Sequence, residues 1–376
     1  MASKQKVLVL LPLFDLGGAE KQGVYIARSM QESGKYEVEV WAIGKGTGKL
    51  CVLLDDLGLK YKCLNKSFDS FYNVKSRIKL YFNFRYSIQK SKIEILIPFT
   101  YHCNVLAAST FRFSRVKKCV WFQIAMEYQF SYSSFEKIAS KFKPVYAANS
   151  LAAAKFISEK HKIELSSVSF IPNPFEFISP KESRNSWREK LNIKSDELMF
   201  FIAANFYPEK DHETLLNGFS KAKKKHKNAK LVLAGSKEYL PALNNLKALS
   251  FDLSLSFEDV LFIGTSDDVP GLIEASDICF LTSISEGSPN ALIEYMGYGK
   301  PIIASSIPPI VELLNSSYPY LFEKGNSDDL ALKIDLLISE INFPKVHDLT
   351  EVNREKILTQ YTIESNFNAF HKIISQ

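Results

Sequence analysis

The sequence predicts an α/β protein built from two doubly wound domains, and three observations carry that prediction. Short apolar runs bounded by Gly, Pro, Asn and Ser alternate with segments of helical periodicity along the whole chain, the pattern of parallel strands joined by crossover helices. At 376 residues and 46% hydrophobic content the chain can build two cores of ordinary size. The polar run Ser179 to Lys194 interrupts the alternation near the middle, and apolar periodicity resumes at Leu198. The domain boundary is therefore expected near residues 175–195, giving domains over 1–175 and 176–360.

Taken in order, Val7–Leu13 reads as the first buried strand. Two lysines ahead of an eight-residue apolar run give it a superficial likeness to a signal peptide. The run contains Pro12 and leads into D-L-G-G-A-E instead of a small-residue cleavage site, so the strand reading is preferred. Gly17 and Gly18 form a loop before a helix over about Ala19–Glu32. Glycines there let backbone approach a ligand closely, although a simple tight turn would use them as well. A strand at Glu37–Ile43, a helix near Leu50–Leu57 and a strand at Leu59–Cys63 continue the alternation.

Residues 67–92 differ in composition. Lys75, Arg77, Lys79, Arg85, Lys90 and Lys92 interleave with Phe68, Phe71, Tyr72, Tyr81, Phe82, Phe84 and Tyr86, and Asp69 is the one acid. Such a helix can lie on an anionic bilayer, grip a nucleic acid, or bury its aromatics as an ordinary domain helix. Of the two binding readings the membrane surface is preferred, because no nucleic-acid-binding signature accompanies the stretch. The strand Ile93–Pro98 then places Thr100, His102 and Asn104 at the C-terminal edge of a parallel sheet, where ligands bind. Val116–Gln123, ending near Gln123 and Glu127, and Val145–Asn149 are further strands, and Phe170–Phe175 is a short strand closed by a proline turn.

In the second half, strands are expected at Leu198–Ala204, Lys230–Ala234, Val260–Gly264, Asp277–Thr282, Pro301–Ala304 and Pro319–Leu321. Helices fill the gaps, two more near Leu349–Thr359 and Ile363–Ile374 close the chain, and the lysine run Lys221–Lys230 reads as a solvated helix end. Lys210 sits at a helix start after the first of these strands, where a point charge can neutralise a diphosphate.

The richest stretch is Ile284 to Glu294, I-S-E-G-S-P-N-A-L-I-E. It follows the buried strand Asp277–Thr282. Pro289 suits the first helical position with Ser288 as N-cap, so a helix is expected over Pro289–Gly297. Glu286 then lies in the strand-to-helix loop and Glu294 near the end of the second turn. Free N–H groups at that helix start favour an anion, and carboxylates on either side can accept hydrogen bonds from paired hydroxyls of a ribose or a sugar ring. The whole suits a nucleotide-sugar diphosphate.

Bulk properties narrow the classes. No stretch approaches the roughly 18 consecutive apolar residues of a transmembrane helix. Five cysteines, without C-x-x-C or metal-finger spacing, fit a reducing compartment. The net charge of +6 conceals an asymmetry: residues 1–180 carry 26 Lys and Arg against 14 Asp and Glu, or +12, and residues 181–376 carry 21 against 27, or −6. No D-x-D pair occurs, so magnesium is not expected as the charge neutraliser.

E-G-S-P-N-A-L-I-E at Glu286–Glu294 resembles the E-x7-E signature of retaining glycosyltransferases of family four. G-G-A-E at Gly17–Glu20, I-P-N-P at Ile171–Pro174, P-E-K-D-H at Pro208–His212 and G-T-S-D-D-V-P at Gly264–Pro270 extend the likeness over nearly the full length. The resemblance implies a GT-B architecture, two Rossmann-like domains facing a cleft, with the helix over 361–376 packing back on the N-terminal domain. It implies transfer of a hexose or N-acetylhexosamine from a nucleotide-diphosphate sugar to a glycan or lipid-linked glycan acceptor, with retention of configuration and with no cofactor or metal. Glu294 would hold the ribose diol, Glu286 a donor-sugar hydroxyl, and the amides of Gly287, Ser288, Pro289 and Asn290 would line sugar and phosphates. Lys210 would bind the leaving diphosphate, approached across the cleft by Gly17 and Gly18, while Gly264 and Thr265 would edge the nucleobase. Where the family usually has an arginine ahead of the lysine this chain has Asn205. Where it often has a strand-end histidine the chain has Gln123, leaving His102 as the catalytic histidine candidate. The expected partners are a nucleotide sugar, the acceptor glycan and an anionic membrane surface, with no nucleic acid, and the expected location is cytoplasmic on the inner face of a membrane. Competing readings are a nucleotide-sugar epimerase of the same architecture and an inactive nucleotide-sugar-binding subunit.

Overall fold

The computed structural model describes residues 4–15, 17–44, 48–67, 71, 73–124, 134–236 and 240–376. The chain divides into two compact units, one of Met1–Pro174 with Tyr361–Gln376 and the other of Phe175–Gln360.

In the first unit seven parallel strands run β1 (Gln5–Leu11), β2 (Tyr36–Ala42), β3 (Lys60–Cys63), β4 (Ile95–Pro98), β5 (Lys118–Gln123), β6 (Val145–Ala148) and β7 (Ser169–Phe170), in the spatial order β3-β2-β1-β4-β5-β6-β7. Between them come α1 (Gly18–Glu32), α2 (Lys49–Asp56), α3 (Val74–Lys90), α4 (Tyr101–Thr110), α5 (Ser134–Lys141) and α6 (Leu151–His161). The central strand shows why its run Val7–Leu11 is apolar: side chains alternate across a sheet covered on both faces. Val7, Val9 and Leu11 enter one core with Val24, Ile26 and Leu54 of α1 and α2. Leu8 and Leu10 enter the other with Leu80, Phe84 and Leu106 of α3 and α4.

The second unit has β8 (Leu198–Ala203), β9 (Ala229–Ala234), β10 (Val260–Gly264), β11 (Ile278–Leu281), β12 (Ile302–Ser305) and β13 (Leu321–Phe322), parallel in the order β10-β9-β8-β11-β12-β13. Its helices are α7 (Arg184–Lys190), α8 (His212–Lys223), α9 (Leu240–Asp252), α10 (Val269–Ala275), α11 (Asn290–Gly297), α12 (Pro308–Leu314), α13 (Ser327–Glu340) and α14 (Pro344–Gln360). The last helix, α15 (Ile363–Ser375), belongs to the first unit. Phe370, Ile373 and Ile374 complete its core, and Asn366 Nδ2 donates to the Pro172 carbonyl at 2.8 Å.

Both sheets are doubly wound, so each has a switch point where the connections diverge, between β1 and β4 and between β8 and β11. Ligands of such sheets bind beyond the C-terminal strand ends at that point.

Two local expectations are corrected. The polar run Ser179–Lys194 holds α7, capped by Ser183, whose Arg184 and buried Arg188 pair with Asp277 and with backbone carbonyls at the end of α10. The lysine run is not simply solvated: Lys221, Lys223 and Lys225 pair with Asp328, Asp259 and Asp335 at 2.6, 2.7 and 2.5 Å. Of residues 67–92, Phe68, Asp69 and Tyr72 lie outside the described residues, as does Glu127. Val74–Lys90 forms α3, whose aromatics divide between core and surface.

Candidate active site

In the second unit the switch point brings two loops together. One leaves β8 as Ala204–Asp211 and the other leaves β11 as Thr282–Pro289, and their strands are hydrogen-bonded neighbours. The backbone fixes their approach: Ile284 N–H donates to the Glu209 carbonyl at 2.9 Å, and Thr282 Oγ1 donates to the Lys210 carbonyl at 2.8 Å. With the main chains locked, Lys210 Nζ reaches Glu286 Oε1 at 2.5 Å. Both side chains are mostly covered, 26% and 11% exposed.

Ser283, fully buried, donates its hydroxyl to the same carboxylate oxygen at 2.7 Å. Its own carbonyl accepts from Ser305 Oγ at 2.5 Å, so β12 braces the loop from behind. Glu286 is thereby oriented by two donors on one oxygen, one cationic and one neutral. Sequence reasoning missed Thr282, Ser283 and Ser305. Their signal was a small hydroxyl residue at each of two adjacent strand ends, a pattern too common to single out.

Lys210 does not start the helix as expected. It closes a 3-10 turn at Pro208–Lys210, and Asp211, at φ +48°, caps α8 by accepting Thr214 N–H at 3.2 Å. Pro289 likewise is not the first helical residue: it occupies the cap position in extended conformation and α11 begins at Asn290. Pro289 supplies no side-chain cap hydrogen bond to α11. Asn290 and Glu294, one turn apart, share the partly exposed face of that helix, while Leu292, Ile293, Tyr295 and Met296 are buried. Tyr295 fixes this rotation, because its hydroxyl accepts the Ala203 N–H at the end of β8 at 2.7 Å. Burial raises that phenol's pKa well above the ordinary value, so it stays neutral.

Asn205 braces the neighbouring loop. Its Oδ1 accepts the Ser236 N–H at 2.9 Å, and its carbonyl is 3.2 Å from His212 Nε2. Burial pushes the His212 pKa down to about 4, so the neutral ring with its proton on Nε2 is the form that donates to this carbonyl. Gly235 is required by the same crowding, since a Cβ there would lie 2.1 Å from the Ala204 carbonyl oxygen. Gly264, at φ +77°, ends β10 with its carbonyl accepting Gly235 N–H, and exposed Thr265 follows it. A cavity of about 730 Å³ opens elsewhere in this unit, beside Tyr318, Glu323 and Lys324, and none of the candidate residues lines it. Among the described residues no group of three or more His, Cys, Asp or Glu is arranged to hold a metal.

In the first unit the equivalent edge holds the other candidates. Gly17 caps α1 and Gly18 begins it, with Glu20 in the first turn, where burial raises the carboxyl pKa. Thr100 precedes α4 at φ +76°, a conformation that costs a β-branched residue about 1–3 kcal/mol, and His102 follows in the first turn. The His102 ring lies 4.7 Å from Phe71, and burial lowers its pKa, favouring the neutral form. Gln123 is buried at the end of β5, accepting Trp121 Nε1–H at 3.3 Å.

This arrangement can now be set beside known proteins. Residues 183–356, which contain the whole Lys210–Glu286 site, match the family described as glycosyl transferases group 1. The second unit is a group 1 glycosyltransferase domain. Relatives of that kind include the N,N'-diacetylbacillosaminyl-diphospho-undecaprenol alpha-1,3-N-acetylgalactosaminyltransferase of Campylobacter jejuni, 26% identical over 44% of this chain and 42% of that protein. This chain thus spans less than half the length of that relative. The UDP-Gal:alpha-D-GlcNAc-diphosphoundecaprenol alpha-1,3-galactosyltransferase of Escherichia coli is 22% identical over 87% of this chain and 86% of its own. In structure, Anabaena Alr3699/HepE, solved in complex with UDP-glucose, aligns at a TM-score of 0.83 over 99% of this chain and 100% of its own, at 18% identity. The two Rossmann-like units and this alignment give the GT-B fold of glycosyltransferases. The group 1 domain places Lys210, Glu286 and Glu294 at one sheet edge, while Gly17, Gly18 and His102 sit on the other unit.

Proposed function

We propose that the chain transfers a hexosyl or N-acetylhexosaminyl group from a nucleoside-diphosphate sugar to a lipid-linked glycan, with retention of configuration. One observation carries the reading: a lysine and a carboxylate meet at the switch point beside the start of α11, where a sugar diphosphate needs a cation and a hydroxyl acceptor together. Lys210 would neutralise charge on the departing diphosphate, aided by the N–H groups of Gly287, Ser288 and Asn290, with Pro289 shaping the turn. Glu286 would accept a hydroxyl of the transferred sugar, and Glu294 would accept the ribose diol.

Asn205, Gly264 and Thr265 would border the nucleoside. His102 would serve the acceptor in its neutral form. Catalysis of this kind rests on stabilising charge as it develops on the leaving group, and it needs no protein nucleophile. No metal is assigned a role. The relatives that act on undecaprenyl-diphosphate glycans support a lipid-linked acceptor, and hence a cytoplasmic enzyme working at the inner membrane surface.

The test is thermal unfolding with UDP, GDP, ADP or CMP in the presence of chelator, since a ligand bound to the native state raises stability as RT ln(1 + [L]/Kd). UDP is the expected stabiliser, given the uridine nucleotide bound by HepE. A shift with one diphosphate is followed by transfer assays with its sugars. No shift with any nucleotide removes the donor site and the reading with it.

A further inference from the structure

We propose that the outer face of α3 docks the protein on an anionic lipid bilayer. The helix is divided by its own periodicity. Leu80, Phe84 and Ile88 recur every four residues and are fully covered by the first unit's core. Val74, Ile78, Phe82 and Tyr86 also recur every four residues, on the outer face, and are 57, 45, 64 and 66% exposed. One buried row anchors the helix, and a second row of comparable size faces solvent without a covering element among the described residues.

Charge selects the occupant. Exposed Lys75 and Lys79 lie beside the outer row and Lys90 continues it by one further turn. None of the three has an ion pair among the described residues. Residues 73–92 contain six Lys and Arg and no Asp or Glu. Elsewhere on the chain, exposed Phe251 and Phe257 lie among Asp252, Glu258 and Asp259, a setting that an anionic surface would repel. A row of aliphatic and aromatic tips flanked by unpaired lysines matches the boundary of an anionic bilayer, with the tips among the upper acyl chains and the ammonium groups at the phosphates. Val74 and Ile78 would have no use on a nucleic acid, whose bases stack on aromatic rings.

Position adds to the argument. The connection from β3 enters α3 at the C-terminal edge of the sheet, and Phe71, just ahead of the helix, packs on His102. The docking face therefore begins beside the candidate acceptor residue of its own unit. The inference deepens the lipid-linked acceptor reading and rests on it, but vesicle binding is measured independently of donor binding.

The full chain is sedimented with vesicles of phosphatidylcholine alone and of phosphatidylcholine with phosphatidylglycerol, at low and high salt. Binding is expected only to the anionic vesicles and should weaken with salt. Lys75→Ser with Lys79→Ser should lower partitioning about fivefold per lysine at low salt, and Phe82→Ser with Tyr86→Ser about tenfold or more. All four positions are exposed, so both variants should keep the parent unfolding temperature and the parent nucleotide-induced shift. Equal binding to both vesicle types, no binding to either, or unchanged binding by both variants overturns the proposal. It is also overturned if the Phe82→Ser, Tyr86→Ser variant abolishes self-association or RNA binding while vesicle binding persists. Vesicle binding without any nucleotide shift would leave this surface standing and remove the donor site instead.

Discussion

Replacing Glu286 by glutamine should separate nucleotide binding from turnover. Lys210 is already engaged within its own unit. Its ammonium is held at 2.5 Å by Glu286, in a pair whose members are 26% and 11% exposed. A charge-assisted hydrogen bond in such a setting is worth about 1.5–3 kcal/mol net. An ammonium has three donors, so a diphosphate takes over part of that interaction, and the part released is about 1–2 kcal/mol, or 5- to 30-fold in affinity. Glutamine keeps the shape and can still accept from Ser283, but it no longer holds the cation by charge. Glu286→Gln should therefore bind the nucleoside diphosphate 5- to 30-fold more tightly by this reckoning, while transfer falls because the sugar hydroxyl loses its anionic acceptor. Lys210→Met should weaken nucleotide binding and transfer together. The assay is calorimetric titration of the diphosphate beside initial rates at saturating donor. If Glu286→Gln loses nucleotide affinity as Lys210→Met does, the two residues hold the nucleotide jointly and the competition described here does not exist.

Other consequences are more direct. Ser283→Ala removes the neutral donor on Glu286 and should lower turnover about tenfold with nucleotide affinity unchanged; equal loss in both would mean that the loop, and not the carboxylate, had moved. Glu294→Ala should weaken nucleotide affinity about tenfold or more through loss of the ribose acceptor, and unchanged titration of a folded variant removes that role. His212 gives a pH dependence whose sign follows from its depressed pKa. The unfolded chain takes up the proton near pH 6.5 and the folded one only near 4, so the contribution is full above pH 6.5 and declines as pH falls toward 4. Its ceiling is about 3 kcal/mol, and denaturant titrations of His212→Gln across this range should show a correspondingly flatter profile.

The parts of this fold that were legible in the sequence are those where one local rule decides. β8 and the Val7–Leu11 run of β1 are apolar at every position because both faces are covered, and the strand limits fall within a residue or two of the expected ones. The E-x7-E stretch was legible because a strand end, a glycine, a proline and two carboxylates at fixed spacing coincide rarely. The parts that were not legible depend on partners distant in sequence. Nothing in R-N-S-W-R-E-K announces that α7 exists to bring Arg188 to Asp277, and nothing around Ser283 predicts that a hydroxyl from β12 would support its carbonyl. Pro289 and Lys210 fell short of their helices by one residue and by two. A proline fixes φ but does not decide whether the residue belongs to the helix or to its cap, and Asp211 outcompeted Lys210 for the helix start by adopting a positive φ.

The return of α15 to the first unit has a consequence for how the chain reaches its native state. Phe175–Gln360 is continuous, so every residue of the second unit is in hand before α15 is synthesised. The first unit, although it leads the sequence, lacks Phe370, Ile373 and Ile374 until the end, and its core stays open along α1 and β2. Order in the chain and order of completion are thus reversed: the second unit needs nothing beyond Gln360, while the first waits for its last helix. A released chain that stops at Gln360 should hold a protease-resistant second unit beside a first unit that is still cut, and a chain that includes 361–376 should resist in both.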